Sequence, residues 1–229
     1  MKKNLVVLSG AGISAESGLR TFRDSNGLWE NHRIEDVATP EGFAKNPQLV
    51  LDFYNERRRQ MKTVKPNDAH KILVELEKDF HVRIITQNVD DLHERAGSSQ
   101  VLHLHGELKK VRPVNSQSDA ILWEGDLNFG DTDAYGNQLR PHIVWFGEEV
   151  PAIEEAQQIA SEADIFLIIG TSLQVYPAAG LLHSIPDGCE LFVIDPHLLN
   201  SFAAEENFFK MNATEGMRLL LPRLNAIGS

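Results

Sequence analysis

Four short runs rich in valine, isoleucine and leucine are the features that most constrain the fold of this chain. They span residues 5–8, 82–86, 165–169 and 191–194. None alternates regularly with polar residues, which is typical of parallel strands that helices cover on both faces. Helical patterns lie between them, starting at Asn67-Asp68, after Pro151 and near Ala213. This order predicts an α/β protein with a doubly wound, Rossmann-like parallel sheet.

Two stretches do not follow this alternation. Residues from about 30 to 80 are helix-rich without a strand signal, and residues from about 107 to 140 are polar and rich in turns. We therefore predict a dinucleotide-binding domain made of residues 1–30, 81–106 and 142–229. Residues 31–80 and 107–141 would form a smaller inserted lobe, a helical module plus a turn-rich insert. The cleft between the two is the expected ligand site.

The composition excludes several classes of protein. With 42% apolar and 24% charged residues among 229, a mainly disordered chain is excluded. The net charge of −11 argues against a nucleic-acid partner, which needs a basic face. No apolar run approaches the ~18 residues of a membrane span, and the first run is too short for a signal peptide, so a cytoplasmic protein is expected. The single cysteine, Cys189, excludes an intramolecular disulfide and a multi-cysteine zinc site.

The first aliphatic run leads into Gly10-Ala11-Gly12-Ile13-Ser14-Ala15, the Gly-x-Gly-x-x-Ala pattern of dinucleotide-binding turns. Gly10 permits a tight turn, Gly12 lets backbone N–H groups approach a pyrophosphate, and Ala15 permits close packing of helix on strand. The alternative is an ordinary glycine-bearing turn. A dehydrogenase would continue with a second strand and an acidic residue, but a polar loop follows here, so hydride transfer is not indicated.

Polar residues follow the ends of the three later runs, where an open α/β sheet binds its ligands. Gln87-Asn88-Val89-Asp90 could hold ribose hydroxyls and a carboxamide, Gly170-Thr171-Ser172 could donate to phosphate, and Asp195 could accept from a ribose hydroxyl. Turn and helix-capping chemistry is the alternative for these side chains. In the loop after the first turn, Arg23 could reach phosphate or ribose and Phe22 could cover a ring. Their alternatives are a surface arginine and a core aromatic.

The segment His103-Leu104-His105-Gly106 supplies a candidate base. An imidazole with a pKa of about 6.5 is largely neutral near physiological pH and can take a proton. A structural histidine is the alternative. Two histidines two residues apart could also bind a metal, but no third ligand is evident in the sequence, so no metal site is predicted.

With these motifs in order, the chain resembles the sirtuins, the NAD-dependent protein-lysine deacylases, over nearly its whole length. The resemblance rests on Gly10-Ala11-Gly12-Ile13-Ser14-Ala15-Glu16-Ser17-Gly18 with Thr21-Phe22-Arg23, Gln87-Asn88-Val89-Asp90, His105-Gly106, Val144-Trp145-Phe146-Gly147-Glu148 and Gly170-Thr171-Ser172. It implies that NAD is a co-substrate: the acyl-lysine amide oxygen attacks the anomeric carbon of its ribose, and nicotinamide leaves. Free lysine and O-acyl-ADP-ribose are the implied products, with His105 as the catalytic base.

The resemblance also assigns residues to the two substrates. The NAD-binding set that it implies is Gly10, Ala11, Gly12, Ile13, Ala15, Glu16, Thr21, Phe22, Arg23, Trp29, Gln87, Asn88, Val89, Asp90, Gly170, Thr171, Ser172, Asp195, His197 and Ala213. Val144, Trp145, Phe146 and Gly147 would form the wall along which a substrate peptide adds as a strand. Acylated-lysine proteins or peptides are the implied partners, and a monomer is expected.

Three departures from the family pattern are visible. Its members typically carry four zinc-binding cysteines after the His-Gly motif, whereas residues 107–141 contain none, so zinc is predicted to be absent. The insert would instead be held by turn hydrogen bonds and by the packing of Trp123, Leu127, Phe129, Tyr135 and Leu139. Arg20 stands where a proline is common, and Asp195-Pro196-His197 stands where Asn-x-Glu is usual at the adenosine ribose.

Tyr54 and Arg57 lie three residues apart in a predicted helix and therefore share a face. The alternatives are a packing tyrosine and a solvated arginine. Sirtuins that remove succinyl, malonyl or glutaryl groups carry such a Tyr-x-x-Arg pair, in which the guanidinium can hold the acyl carboxylate bidentately and the phenol adds a donor. Ala38 matches the small residue that leaves room for a longer acyl chain. The resemblance thus implies removal of acidic acyl groups, with deacetylation retained.

Three other functions stay open at this point. Protein ADP-ribosylation would use the same cofactor site. A nucleotide-sensing module would bind NAD without turnover. A metal hydrolase would use His103 and His105.

Overall fold

The computed structural model describes residues 2–19, 28–29, 31–116, 120–198 and 203–228. The strands are β1 (Asn4–Ser9), β2 (Leu28–Trp29), β3 (His32–Arg33), β4 (His81–Thr86), β5 (Val101–His103), β6 (Gly106–Pro113), β7 (Ile121–Leu122), β8 (Leu139–Ile143), β9 (Ile165–Ile169), β10 (Glu190–Ile194) and β11 (Phe208–Phe209). The helices are α1 (Ala11–Ala15), α2 (Ile34–Val37), α3 (Pro40–Lys45), α4 (Pro47–Thr63), α5 (Asp68–Leu76), α6 (Leu92–Ala96), α7 (Ile153–Ser161) and α8 (Ala213–Gly228), with 3-10 helices at Ala178–Ser184 and Glu205–Asn207. None of the helices in these ranges combines the length and apolar character of a bilayer-spanning segment.

Six parallel strands form the central sheet in the order β11-β10-β9-β1-β4-β5. The four inner strands are the four predicted ones, and the prediction of a doubly wound α/β fold is confirmed. The sequence pattern does not predict the two edge strands, because β5 and β11 have only three and two residues. The chain proceeds from β1 to β4 on one side and later returns to β9 on the other. A crevice therefore opens at the carboxyl ends of β1 and β9.

Side chains of the inner strands alternate between two hydrophobic layers. Leu5 and Val7 point into the layer that the sheet forms with α5 and α8. Val6 and Leu8 point into the layer that it forms with α7 and the first 3-10 helix. Burying each of these aliphatic side chains stabilises the folded state by roughly 1.5–3 kcal/mol relative to leaving it exposed. These two layers hold the strands, and with them the strand ends that face the crevice, in fixed positions.

A three-stranded antiparallel sheet, in the order β7-β6-β8, lies in the turn-rich insert. The longest helix of the helical module, α4, packs on it. Asn46 caps α4 by accepting a hydrogen bond from the N–H of Leu49, and Pro47 occupies the first helical turn, where its missing N–H costs nothing. The β2-β3 hairpin corrects the expectation that residues 31–80 contain no strand. At two residues, β3 is too short to give an alternation pattern.

Two buried polar side chains of α4 join the helix to the insert. Asn55 donates to the carbonyl of Leu127 at 2.9 Å and accepts from its N–H at 2.8 Å, so its amide pairs with the main chain as a strand would. Arg58 donates from Nε to the carbonyl of Leu108 at 2.9 Å and from Nη1 to Asn55 Oδ1 at 2.7 Å. Through these bonds the two buried side chains fix the insert against α4, although Nη2 of Arg58 has no hydrogen-bond partner among the described residues.

The predicted packing of the insert is partly wrong. Three of the predicted residues do form or border its core: Trp123, Leu127 and Leu139. Phe129 and Tyr135, however, are 64% and 91% exposed. Tyr135 lies in a turn that Asp133 organises by accepting from the N–H groups of Tyr135 and Asn137, and this turn directs the aromatic ring outward.

Two fully buried histidines, His70 in α5 and His93 in α6, pack against each other with ring centroids 4.9 Å apart. His70 Nδ1 lies 3.0 Å from Asn67 Oδ1, and His93 Nε2 lies 3.0 Å from Ser9 Oγ. Their other ring nitrogens have no hydrogen-bond partner among the described residues. Burial lowers the pKa of His70 to about 4 and that of His93 well below its ordinary value. Both rings are therefore neutral in the folded protein at neutral pH.

The variant His70→Gln should lose less stability on acidification than the wild type. Folded His70 stays neutral down to about pH 4, whereas the unfolded chain takes up a proton below about pH 6.5. Because the unfolded state then binds more protons, His70 lowers the free energy of unfolding by roughly 2 kcal/mol at about pH 5. Urea unfolding at about pH 7.5 and about pH 5 measures this loss. The variant His81→Gln, at an exposed histidine, should retain the wild-type loss, and an equal loss in all three proteins would contradict the assignment.

Candidate active site

One cavity of about 710 Å³ lies at the carboxyl ends of β1, β4, β9 and β10, beside the insert and α4. The predicted NAD-binding residues that line it are Gly10, Ala11, Gly12, Ala15, Glu16, Trp29, Gln87, Asn88, Val89, Asp90, Gly170, Thr171, Ser172, Asp195, His197 and Ala213. His105 and the predicted acyl and peptide residues also line it: Ala38, Tyr54, Arg57, Val144, Trp145, Phe146 and Gly147. Ile13 is fully buried behind the first turn and does not line the cavity. Thr21, Phe22 and Arg23, together with Arg20, lie outside the described residues.

The glycine turn after β1 packs directly on the turn after β9. The N–H of Gly12 donates to the carbonyl of Gly170 at 2.8 Å, and a Cβ on Gly12 would lie 2.7 Å from Gly170 Cα. Gly170 itself has a φ of +62°, and a Cβ there would lie 2.3 Å from the nitrogen of Ile13. The N–H groups of Gly10, Gly12 and Ile13 already donate to acceptors within the protein. They therefore do not point at a phosphate, contrary to the expectation from the sequence. The glycines serve close packing of the two turns instead.

A chain of hydrogen bonds links the segment after β4 to this turn. Asn88 Nδ2 donates to the carbonyl of Gly10 and to Ser14 Oγ, both at 3.2 Å, and Ser14 Oγ donates to Asp90 Oδ2 at 3.0 Å. Asp90 is buried, and burial raises the pKa of its carboxyl group above the usual range. Gln87 Nε2 donates to Thr171 Oγ1 at 2.9 Å. Sequence reasoning missed Ser14, although its position inside the glycine motif is a signal for it.

His105 contacts the backbone of the same segment. Its Nδ1 lies 3.1 Å from the carbonyl oxygen of Gln87. A carbonyl can only accept a hydrogen bond, so Nδ1 carries the proton and Nε2 is the basic nitrogen of the neutral ring. Burial lowers the pKa of His105, and the bond to Gln87 only partly opposes this shift. His105 is therefore a neutral imidazole at physiological pH on the wall of the cavity, and its Nε2 is able to accept a proton.

His103 does not line the cavity. Its Nδ1 lies 2.9 Å from the carbonyl oxygen of Asn88, and its Nε2 lies 2.7 Å from Glu94 Oε1. Burial alone would lower the pKa of His103, but the hydrogen bond and ion pair with Glu94 outweigh it and raise the pKa. The two imidazoles thus serve different partners, which gives no support to a metal held jointly by His103 and His105.

Arg57 and Tyr54 form the end of the cavity that lies against α4. Arg57 is only 7% exposed, and its Nε and Nη1 have no hydrogen-bond partner among the described residues, while Nη2 pairs with Glu56 at 3.2 Å. The hydroxyl of Tyr54 accepts from Trp145 Nε1 at 3.0 Å. Burial raises the pKa of Tyr54 well above its ordinary value, so the phenol keeps its proton and remains a donor. The side chain of Ala38, packed in the same hydrophobic cluster, leaves this end open.

Residues Val144–Gly147, the predicted peptide wall, follow β8 along the cavity. The N–H of Val144 donates to the carbonyl of His105 at 2.9 Å, and that of Phe146 donates to the carbonyl of Ala38 at 3.0 Å. The wall is thereby tied both to His105 and to the end of the cavity beside Ala38. A peptide strand added along it would be positioned relative to both at once.

Glu148, the residue directly after the Val144–Gly147 wall, fixes this wall in place. Sequence reasoning gave Glu148 no role. Its carboxylate accepts from the N–H of Trp145 at 2.7 Å and from both Nη atoms of Arg140, at 2.6 and 3.0 Å. Burial opposes ionisation, but the bonds from Arg140 and Trp145 outweigh it and lower the pKa of Glu148. The guanidinium of Arg140 also lies 3.2 Å from the centre of the Trp145 ring. Both partners lie within eight residues of Glu148, but they do not recur at a helix or strand period, so the sequence pattern did not indicate them.

Two predicted NAD ligands are already engaged in structural contacts. Asp195 Oδ1 accepts from the N–H groups of His197 and Leu198, both at 2.8 Å, which is the turn chemistry that was its alternative. Glu16 accepts from the N–H and hydroxyl of Thr214 at the start of α8, at 2.8 and 2.6 Å. Both residues line the cavity, but these oxygens are shared with the protein.

Comparison with known proteins agrees with this fold and site. The model of the Sir2 family matches residues 10–177. A relative from Helicobacter pylori named NAD-dependent protein deacylase is 55% identical over 228 residues, covering 99% of this chain and 97% of the relative. One of the same name from Bacteroides thetaiotaomicron is 54% identical and covers 96% and 99%. A solved Sir2 homologue in complex with NAD superposes with a TM-score of 0.84 at 37% identity, covering 100% of this chain and 91% of that one.

The parallel sheet, the cavity at its switch point and the neutral imidazole in that cavity define a nucleotide-binding α/β enzyme. The chain belongs to the Sir2 family. The prediction of a sirtuin, and with it of an enzyme, is confirmed. The predicted roles of individual residues stay predictions.

The variant Glu148→Gln should be less stable than the wild type and bind acylated peptide more weakly. Removing the charge leaves Arg140 buried without its counter-charge and loosens the wall, which we expect to lower the free energy of unfolding by about 2–4 kcal/mol. Urea unfolding and the KM for an acylated peptide measure the two effects. Glu149→Gln, at the exposed neighbouring residue, is the matched control and should change neither. Wild-type values for Glu148→Gln would show that the network does not support the wall.

Proposed function

We propose that this protein uses NAD to remove acyl groups from lysine side chains of proteins, and that acyl groups ending in a carboxylate are among its preferred substrates. The general activity is supported by membership of the Sir2 family and by close relatives named NAD-dependent protein deacylase. The preference for acidic acyl groups has separate support, which comes from one arginine.

That support is the incomplete hydrogen bonding of Arg57. A guanidinium that is 7% exposed with two unpartnered N–H groups is costly, at about 1–3 kcal/mol for each unmet donor. The cost falls when a substrate carboxylate accepts from one of these donors together with the adjacent Nη2, since each bidentate edge of a guanidinium includes Nη2. Arg57 lines the cavity, so such a carboxylate can arrive with the substrate. The molecule carries a net charge of −11, and a dedicated cation is needed to hold an anionic group against it.

Tyr54 and Ala38 fit the same proposal. The phenol of Tyr54 accepts from Trp145, which leaves its own proton for a second bond to the acyl carboxylate. The small side chain of Ala38 leaves space for an acyl chain longer than acetyl. An acetyl group would make neither polar contact, so deacetylation is retained without depending on Arg57.

In the proposed reaction, the amide oxygen of acyl-lysine displaces nicotinamide at the ribose. Nε2 of His105 then takes the proton of a ribose hydroxyl, because Nδ1 is already protonated against Gln87. The freed oxygen attacks the acyl carbon, and water completes the transfer to give lysine and O-acyl-ADP-ribose. Asn88 and Asp90, joined through Ser14, are proposed to shape the nicotinamide and ribose pocket. A cytoplasmic location, a monomeric state and an insert without zinc remain predictions.

The variant Arg57→Met should lower desuccinylation at least ~100-fold while changing deacetylation by no more than ~3-fold. The reason is that only the succinyl carboxylate pairs with the guanidinium. Mass spectrometry of matched succinyl and acetyl peptides, with and without NAD, measures both reactions. Arg59→Met is the matched control, since Arg59 lies on the same helix but is exposed, pairs with Asp126 and does not line the cavity. Equal losses of both reactions in Arg57→Met would remove the acyl preference.

The variant His105→Ala should abolish lysine deacylation and lower the steady-state rate of nicotinamide release by at least ~100-fold, because turnover stalls after the first displacement, with NAD binding kept within a few-fold. Calorimetric titration with NAD and chromatography of released nicotinamide give the two readouts. His81→Ala, at the start of β4, should behave as the wild type. Full turnover in His105→Ala would exclude His105 as the base.

Two outcomes with the wild-type protein would favour the alternative functions. If the wild type transfers ADP-ribose to protein and produces no deacylated lysine, ADP-ribosylation is favoured. If the wild type binds NAD without any turnover, the sensing module is favoured.

A further inference from the structure

A second group of chemically competent side chains lies outside the cavity. It consists of Glu94 in α6, His103 at the end of β5 and Glu107 in β6. One carboxylate oxygen from each glutamate and one ring nitrogen of His103 all lie within 4.8 Å of one another. None of the three residues lines the cavity of the proposed active site. The group therefore has no role in the chemistry derived above.

The fold itself brings these three residues together. The pairing of β5 with β4 sets His103 opposite Thr86, and the pairing of β6 with β8 sets Glu107 opposite His142. Glu94 comes from a third element, α6. Because three separate elements converge, the cluster does not depend on the conformation of a single loop. The side chain of His103 is 8% exposed, while those of Glu94 and Glu107 are 40% and 26% exposed, so the group is open to solvent on the carboxylate side.

His103 is oriented as a metal-binding histidine is. Its Nδ1 lies 2.9 Å from the carbonyl oxygen of Asn88, which can only accept, so Nδ1 carries a proton and Nε2 is the atom directed at the cluster. Such a bond from the second ring nitrogen to a backbone carbonyl is the usual support of a histidine ligand. Nε2 lies 2.7 Å from Glu94 Oε1, so the proton now between them occupies the place that a cation would take.

The donor set selects the kind of cation. One imidazole nitrogen and two carboxylate oxygens suit Zn²⁺ and similar transition-metal ions, whereas Mg²⁺ prefers oxygen ligands alone. Zinc bonds of about 2.0–2.2 Å require donors ~3.3 Å apart, which the two exposed glutamates can reach by small rotations. Lys110 now pairs with Glu107 and would move away, as its long side chain allows. Three protein ligands leave one position for water, which makes the ion exchangeable.

We propose that Glu94, His103 and Glu107 form a binding site for a divalent transition-metal ion of the zinc type, separate from the proposed active site. The site is not the cysteine-ligated zinc site of the family, for which residues 107–141 offer no cysteine. It differs from the sequence-based prediction of no metal site, because Glu94 and Glu107 come close to His103 only in the folded chain. The bond from His103 to the carbonyl of Asn88 connects it to the segment that lines the cavity.

Calorimetric titration of the untagged full chain, stripped with EDTA and dialysed, tests this site with zinc chloride and, separately, with magnesium chloride. We expect one Zn²⁺ per chain with a Kd of about 10 µM or lower and no heat with Mg²⁺ at the same concentrations. The variant His103→Gln should weaken zinc binding at least ~10-fold, and its amide can still donate to the carbonyl of Asn88. His81→Gln, at an exposed histidine of β4, should bind zinc as the wild type does.

Glu107→Gln provides an independent variant at a more exposed position, and it too should weaken zinc binding at least ~10-fold. Thermal unfolding in EDTA establishes that each variant is folded before titration. Absence of zinc binding up to about 100 µM, or wild-type affinity in both His103→Gln and Glu107→Gln, would overturn the proposal.

Discussion

The turns that follow β1 and β9 pack main chain against main chain, with no side chain between them. The rest of the site depends on this contact. Gly12 donates to the carbonyl of Gly170, and neither residue has room for a Cβ. The contact lies at the switch point of the sheet, where β1 and β9 are neighbours and their following segments diverge. Once the two turns are joined, Gln87 reaches Thr171 and Asn88 reaches Gly10. The floor of the cavity is therefore built from the backbone of the two turns, and the side chains of Gln87 and Asn88 bind to it.

Helix α4 performs two tasks with adjacent residues. Asn55 and Arg58 face the insert and replace a length of strand pairing with side-chain bonds. Tyr54 and Arg57 face the cavity and end it with a phenol and a guanidinium, of which Nε and Nη1 have no hydrogen-bond partner among the described residues. A period of about 3.6 residues per turn puts each pair on its own face of the helix. The same helix thus contacts both the insert and the end of the cavity proposed to hold the acyl group.

Sequence reasoning succeeds where the determining information is local. The inner strands are buried on both faces, so their aliphatic runs are visible in the sequence, and the strand-end motifs meet because parallel strands share an edge. It fails where partners are distant. Ser14 and Asn55 act through bonds to residues more than seventy positions away, and Glu148 acts through bonds to Arg140 and Trp145 that follow no helix or strand period. The predicted packing of Phe129 and Tyr135 was wrong because apolarity alone does not say which way a turn directs a side chain.

The surroundings of His103 and His105, two histidines of one short segment, shift their pKa values in opposite directions. Nδ1 of His105 and Nδ1 of His103 lie against the carbonyls of the successive residues Gln87 and Asn88, so Nδ1 carries a proton in both rings. Among the described residues no carboxylate bonds to Nε2 of His105, and burial lowers the pKa of His105. Glu94 bonds to Nε2 of His103, outweighs burial there and raises its pKa. Groups whose environments drive their pKa values apart take different chemical roles. The His105 ring can accept a proton in the cavity, while Nε2 of His103 is engaged with the carboxylate of Glu94, in the place proposed for a metal ion.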